Sequence, residues 1–180
     1  VINALRQLLL MRHAKSSWDD PRLSDHARPL NPRGRTAAAA MREAMRELGL
    51  APDIILASSA RRTLQTLEAL EPWDDTPLVE PMDSLYLADP AQLLAILHKA
   101  PETARSVLIL GHNPGLHELA AQLCGATPEA PDANLRHLAE AFPSGALAEF
   151  SITGTWGSVA PGGARLRRFL RPRDLPAPGG

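Results

Sequence analysis

Apolar residues in this chain follow two rhythms: short unbroken runs, and longer stretches that repeat with helical spacing. Leu8 to Met11 is a run of the first kind, the pattern of a strand covered on both faces, and it leads straight into Arg12 and His13. A polar, proline-bearing loop, Ser16 to Leu30, follows. Asn31 and Pro32 then supply the N-cap and first position of an alanine-rich helix that Gly49 stops. Asp53 to Ser58 reads as a second buried strand. Ala60 to about Leu70 reads as a helix with Leu64, Leu67 and Leu70 on one face. "TPLVEP", Thr76 to Pro81, is a short third strand. Asp89 and Pro90 open a helix that runs to about Lys99, and Ser106 to Gly111 is a fourth strand. Asn113 and Pro114 are expected to cap a helix reaching Cys124, and Ala133 to Ala141 to form a short one. "ALAEFSIT" and "ARLRRFL" alternate as an antiparallel pair should.

This alternation of strand and helix, closed by two paired strands, predicts an α/β sandwich: a mainly parallel central sheet with helices on both faces. Residues 1–172 are expected to form one domain and 173–180 a flexible tail. In such sheets ligands sit beyond the carboxyl ends of the strands. After the first strand come Arg12 and His13. After the second comes "SSARRTLQT", with Arg61 and Arg62 in the first turn of a helix. After the fourth comes "GHNPG", with His112 just before a helix. Two histidines and at least two arginines therefore converge on one sheet edge.

The length of 180 residues is enough to bury a core, and 44% hydrophobic with 22% charged residues is ordinary for a globular chain. The net charge of -1 gives no global basic field for nucleic acid or an anionic membrane. Cys124 is the only cysteine, so neither an internal disulfide nor a cysteine metal cluster can form. The Leu8–Met11 run is too short for a signal-peptide core, and no stretch approaches the roughly 20 apolar residues of a membrane span. A cytoplasmic protein is expected.

The chemistry at the strand ends suits a phosphoryl group. Arginine presents planar paired donors that match phosphate oxygens. A helix N-terminus adds N–H groups and partial positive charge. Carboxylates are sparse in the same segments, so no metal or other cofactor is expected. The arginines would then stabilise the transferring group, and a neutral imidazole can attack it to form a phosphohistidine.

Together these motifs resemble the histidine phosphatase superfamily. "RHAKSSW" corresponds to its Arg-His-Gly signature, with Ala14 in place of the usual glycine. "DHARPLNPRG", Asp25 to Gly34, is similar to its Arg-Pro-Leu segment. The short length and motif wording resemble the SixA-type phosphohistidine phosphatases, over about Leu8 to Cys124. The resemblance implies a phosphoglycerate mutase-like three-layer sandwich. It also implies His13 as nucleophile and Arg12, Arg62 and His112 as phosphate ligands. The family pattern falls on Arg62 and not Arg61. Arg28 is implied as an extra contact, and Ser16 and Asn113 as pocket-lining residues.

Many relatives carry a general-acid glutamate after the third strand; here the region reads "EPMDSLYLADP". Glu80 and Asp83 are the nearest carboxylates, and Asp83 is the fallback acid. A phosphorylated imidazole departs as a weaker base than an alkoxide, so an N–P phosphatase can dispense with a strong acid. Only about fifty residues separate Arg62 from His112, which leaves little room for a cap and suits a phosphorylated side chain on a protein, such as a phosphotransfer domain. The alternatives are a phosphatase for small phosphoesters or phosphoramidates and a phosphate-recognition module without turnover. A mutase is disfavoured, since it needs the acid and an enclosed site. His26, His98, His117 and His137 are expected to be structural, Met41 and Met45 core, and Arg165 to Arg173 an exposed basic face. Trp18 is either pocket rim or packing.

Overall fold

A computed structural model describes residues 5–179; residues 1–4 and 180, which the expected domain and tail include, lie outside the described residues. The strands are β1 (Arg6–Arg12), β2 (Ile54–Ser58), β3 (Leu78–Met82), β4 (Ser106–Gly111), β5 (Leu147–Ile152) and β6 (Ala164–Leu170). The helices are α1 (Pro32–Glu47), α2 (Arg61–Ala69), α3 (Pro90–His98), α4 (Gly115–Cys124) and α5 (Ala133–Glu140). The strands form one sheet in the order β3-β2-β4-β1-β5-β6. β1, β2, β3 and β4 are mutually parallel, and β5 and β6 add antiparallel at one side.

Within the unbroken apolar run of β1, alternate residues serve opposite layers. Leu8 and Leu10 join Ile54, Leu56, Val107 and Ile109 beneath α3, α4 and α5, where Leu97, Leu119 and Leu138 pack. Leu9 and Met11 join Ile55, Ala57, Leu108 and Leu110 beneath α1 and α2, where Met41, Met45 and Leu67 pack. The result is a three-layer α/β sandwich, with Met41 and Met45 in the core as their spacing predicts.

Asn31 caps α1 by accepting from the Gly34 amide, and Asp89 and Gln92 form a capping box on α3. α4 differs from expectation. Its N-terminus is at Gly115, with no side-chain cap. The Asn113 amide instead donates to the Phe142 carbonyl at 2.8 Å. That bond turns the side chain toward Phe142, and its Oδ1, the atom a cap would use, is buried without a partner among the described residues. β3 starts two residues later and ends one later than the expected run, and it forms an edge on which Leu78 and Val79 are exposed.

Beyond β6, Pro172–Asp174 make a 3-10 turn closed by an Arg171–Asp174 ion pair, and Leu175 packs against the α1–α2 layer. On the basic face, Arg168 pairs with Glu149, and Arg167 donates to Ser151.

Close approach of backbones fixes where the loop after β1 lies. A Cβ on Gly34 would sit 2.1 Å from the Lys15 carbonyl oxygen, so only glycine lets α1 meet this loop. Asn31 N–H donates to the same carbonyl.

Candidate active site

β1, β2 and β4 end side by side, with Arg12 paired to Gly111 in register, so Arg12, His13 and His112 leave the same edge of the sheet. His13 is buried. Its amide donates to the Gly111 carbonyl, and its own carbonyl accepts from Gly145 N–H. The next residue, Ala14, is fully buried, and its N–H donates to Thr66 Oγ1, which in turn donates to the Arg62 carbonyl. The strand end and the first turns of α2 are thus tied together.

Arg62 is buried and Arg61 exposed, as the motif spacing predicts. The Arg62 guanidinium lies between the two imidazoles. Nε donates to His13 Nε2 at 3.3 Å, and Nη2 donates to His112 Nδ1 at 3.2 Å. The tautomers follow from the remaining bonds. His13 Nδ1 is 2.7 Å from the Ala14 carbonyl, which only accepts, so Nδ1 carries the proton and Nε2 a lone pair. On His112 the proton is on Nε2, donated to Ser58 Oγ at 2.7 Å. The two rings lie 5.2 Å apart.

Both rings are held neutral. Burial, assisted by the charges of Arg62, Arg12 and Arg28 and opposed by the Ala14 bond, brings the His13 pKa down to about 4. Burial, then His13 and Arg62, bring His112 to about 3. Arg12 is also lowered, by burial and then by Arg62. Its Nη1 donates to the Phe142 carbonyl at 3.2 Å, the same oxygen that takes the Asn113 amide.

Two residues to which the sequence reading gave no role complete the cluster. The Asp25 carbonyl accepts from Arg62 Nη1 at 2.7 Å, and its carboxylate accepts from Arg62 Nη2 at 3.1 Å and from Arg28. The Tyr86 hydroxyl donates to that carboxylate, and the Tyr86 ring stands edge-on to His112 at 5.4 Å. Burial raises the Asp25 pKa, but the Tyr86 bond and the two arginines outweigh it and hold the carboxyl at about 2. Asp25 lies in the quoted Arg-Pro-Leu segment, so its position was visible there. Tyr86 had no comparable signal.

The other expected residues have these places. Arg28 is buried, bonds Ser16 Oγ at 2.7 Å and the Ser17 carbonyl, and lies 3.5 Å beneath the ring of Trp18, which is exposed. Ser16 is thereby turned toward Arg28. Asp83 is exposed, in the 3-10 turn that follows β3, and takes no part in the bonds that join Asp25 to the arginines; Glu80 is exposed on β3. His26 bonds Ser59 and stands edge-on to Tyr86. His98 and His117 are bonded to backbone carbonyls away from the cluster.

The sequence profile of the histidine phosphatase superfamily (branch 1) matches residues 8–82. An uncharacterized chloroplastic protein of Arabidopsis thaliana is 33% identical over 178 residues, covering 93% of this chain and 78% of that protein. The chain belongs to the histidine phosphatase superfamily. Among solved structures, one from Nakamurella multipartitia described as a putative phosphohistidine phosphatase SixA matches with TM-score 0.82 and 32% identity, over 94% of this chain and 97% of that one. A second, from Agrobacterium tumefaciens and described in the same way, matches with TM-score 0.75 and 27% identity, over 92% and 97%. The superfamily fold is therefore shared along nearly the whole chain, beyond the stretch that the profile matches.

Proposed function

We propose that the protein is a phosphatase that removes phosphate from phosphohistidine on a protein and works through a covalent phosphohistidine at His13. Superfamily membership and the likeness to SixA structures support a phosphatase. The observation that carries the finer reading is the state of Asp25. It is the carboxylate bonded into the cluster, and Tyr86, Arg62 and Arg28 hold it as an anion. An ionised carboxylate has no proton to give a leaving group. That suits a substrate whose leaving imidazole needs no strong acid.

In this reading the lone pair of His13 Nε2 attacks phosphorus. The P–N bond to the substrate breaks, and its electron pair returns to the departing imidazole, which takes a proton from water. Water then attacks the phospho-His13 phosphorus, the P–Nε2 bond breaks, and His13 is regenerated with release of inorganic phosphate. Arg12 and Arg62 hold non-bridging oxygens as charge builds, and His112 joins them by taking a proton on Nδ1 in the field of the bound dianion. Arg28 and Ser16 set Asp25 and the loop, and Asn113 shares with Arg12 the carbonyl that fixes it. A cytoplasmic location belongs to this reading and rests on the sequence alone.

The test is phosphate release from a protein phosphorylated on histidine with phosphoramidate, in EDTA, by wild type and His13→Ala, with p-nitrophenyl phosphate in parallel. Release by wild type alone, with acid-labile phosphate trapped on the enzyme, supports the mechanism. Turnover of the ester with none of the phosphoprotein moves the assignment to small phosphoesters. Saturable binding without release of either points to a recognition module.

A further inference from the structure

A groove of about 720 Å3 runs between the start of α1 and the segment that follows β6. It lies against the backbone that follows His13, where Gly145 stands between Ala14 and Pro172. Lys15, two residues after His13, lines it. So does Ser144, whose neighbour Gly145 donates its N–H to the Arg12 and His13 carbonyls.

Its lining has a definite chemistry. Lys15, Arg33 and Arg173 present cations, and none of the three forms an ion pair among the described residues; Arg171, beside them, is paired with Asp174. Among the described residues, no aspartate or glutamate lines it. The rest is largely alanine and proline together with Leu175. Unpaired cations over an apolar floor fit an extended acidic peptide, whose backbone and methylene groups rest on the floor while its carboxylates meet the rim.

We propose that this groove docks an acidic segment flanking the phosphorylated residue of the protein substrate. The inference rests on the phosphoprotein reading above and adds to it a recognition site for the substrate outside the phosphate pocket. It gives the open site a source of selectivity that the phosphate ligands, which see only the phosphoryl group, do not supply.

Two measurements test it. The first is fluorescence anisotropy with labelled, unphosphorylated octaglutamate and octalysine peptides, on wild type and on Arg33→Gln/Arg173→Gln. Wild type should bind octaglutamate saturably and octalysine not at all. The double variant should bind octaglutamate about three- to tenfold more weakly, the loss expected for two exposed charge contacts. Wild-type affinity should fall as salt is raised from about 0.05 to 0.5 M. Equal affinity of wild type and double variant for octaglutamate overturns the proposal.

The second compares phosphohistidine peptides with glutamate or with serine flanks. The double variant should raise KM for the glutamate-flanked peptide with kcat unchanged, and leave phosphoramidate hydrolysis as in wild type. Equal KM for both peptides, with turnover intact, overturns the docking site and leaves the phosphatase reading standing. No turnover of either peptide or of phosphoramidate, with octaglutamate still bound through Arg33 and Arg173, overturns the phosphatase reading and supports the groove as an acidic-peptide site.

Discussion

Asp25 holds Arg62 from behind with two of its own oxygens, the backbone carbonyl at 2.7 Å from Nη1 and the carboxylate at 3.1 Å from Nη2. That double hold leaves the Nε and Nη2 hydrogens aimed at the two imidazoles. Asp25 is thus a positioning residue. Asp25→Asn keeps the carbonyl contact and loses the charge. A misplaced guanidinium should cost about tenfold to a hundredfold in kcat/KM, read as phosphate release. Tyr86→Phe, which removes one donor to the same carboxylate, should cost less.

Arg62 and Arg61 are adjacent, yet one is buried in the cluster and the other exposed. Arg62→Lys replaces a planar fork serving His13, His112 and Asp25 by a single ammonium, and kcat/KM should fall at least about a hundredfold. Arg61→Ala should stay close to wild type. Equal losses would show that the fork geometry is irrelevant.

Because burial and nearby arginines keep His13 neutral down to about pH 4, the acid limb of kcat/KM should lie near that value and not near the ordinary histidine value of 6.5. A limb at 6.5 would mean that another group controls attack.

The same shifts act on stability. Between about pH 6.5 and 4 the unfolded chain binds protons at His13 and His112 that the fold excludes. Stability therefore is full above the unfolded pKa and is lost as pH falls through this window. At about 1.4 kcal/mol per pKa unit, each ring contributes on the order of 3 kcal/mol across this window, and the His112 share goes on growing to about pH 3. Urea melts from pH 7 to 4 should show it, and the His13→Asn/His112→Asn double variant should flatten the profile.

Gly34→Ala forces a Cβ into the Lys15 backbone carbonyl. Neither backbone can yield freely, so the variant should lose about 1–3 kcal/mol in a denaturant melt. The loop that follows His13 should shift with it, lowering activity as well.

Much of this was legible from local signals. Apolar runs that stop at Arg12 and at Gly111 placed both histidines on one edge, and the Asn31 and Asp89 caps began α1 and α3 as expected. Motif spacing separated Arg62 from Arg61. What stayed hidden depended on contacts between distant segments. Tyr86 reaches Asp25 across 61 residues from a 3-10 turn with no periodicity to announce it. Asn113 had a good capping sequence but found the Phe142 carbonyl instead. The bonds of Arg28 to Asp25, Ser16 and Ser17 and its stacking on Trp18 likewise follow from how one loop folds over itself, which no pattern in the chain encodes.

β1 has β4 on one side and β5 on the other, so both of its hydrogen-bonding edges are occupied. The strand that delivers Arg12 and His13 has no free margin from which to fray. Its amides should be among the slowest in the molecule to exchange with deuterium, opening only when the whole sheet does. Heat inactivation and global melting should then be one event with one midpoint. Arg12 and the nucleophile beside it are thereby tied to the part of the molecule that lets go last.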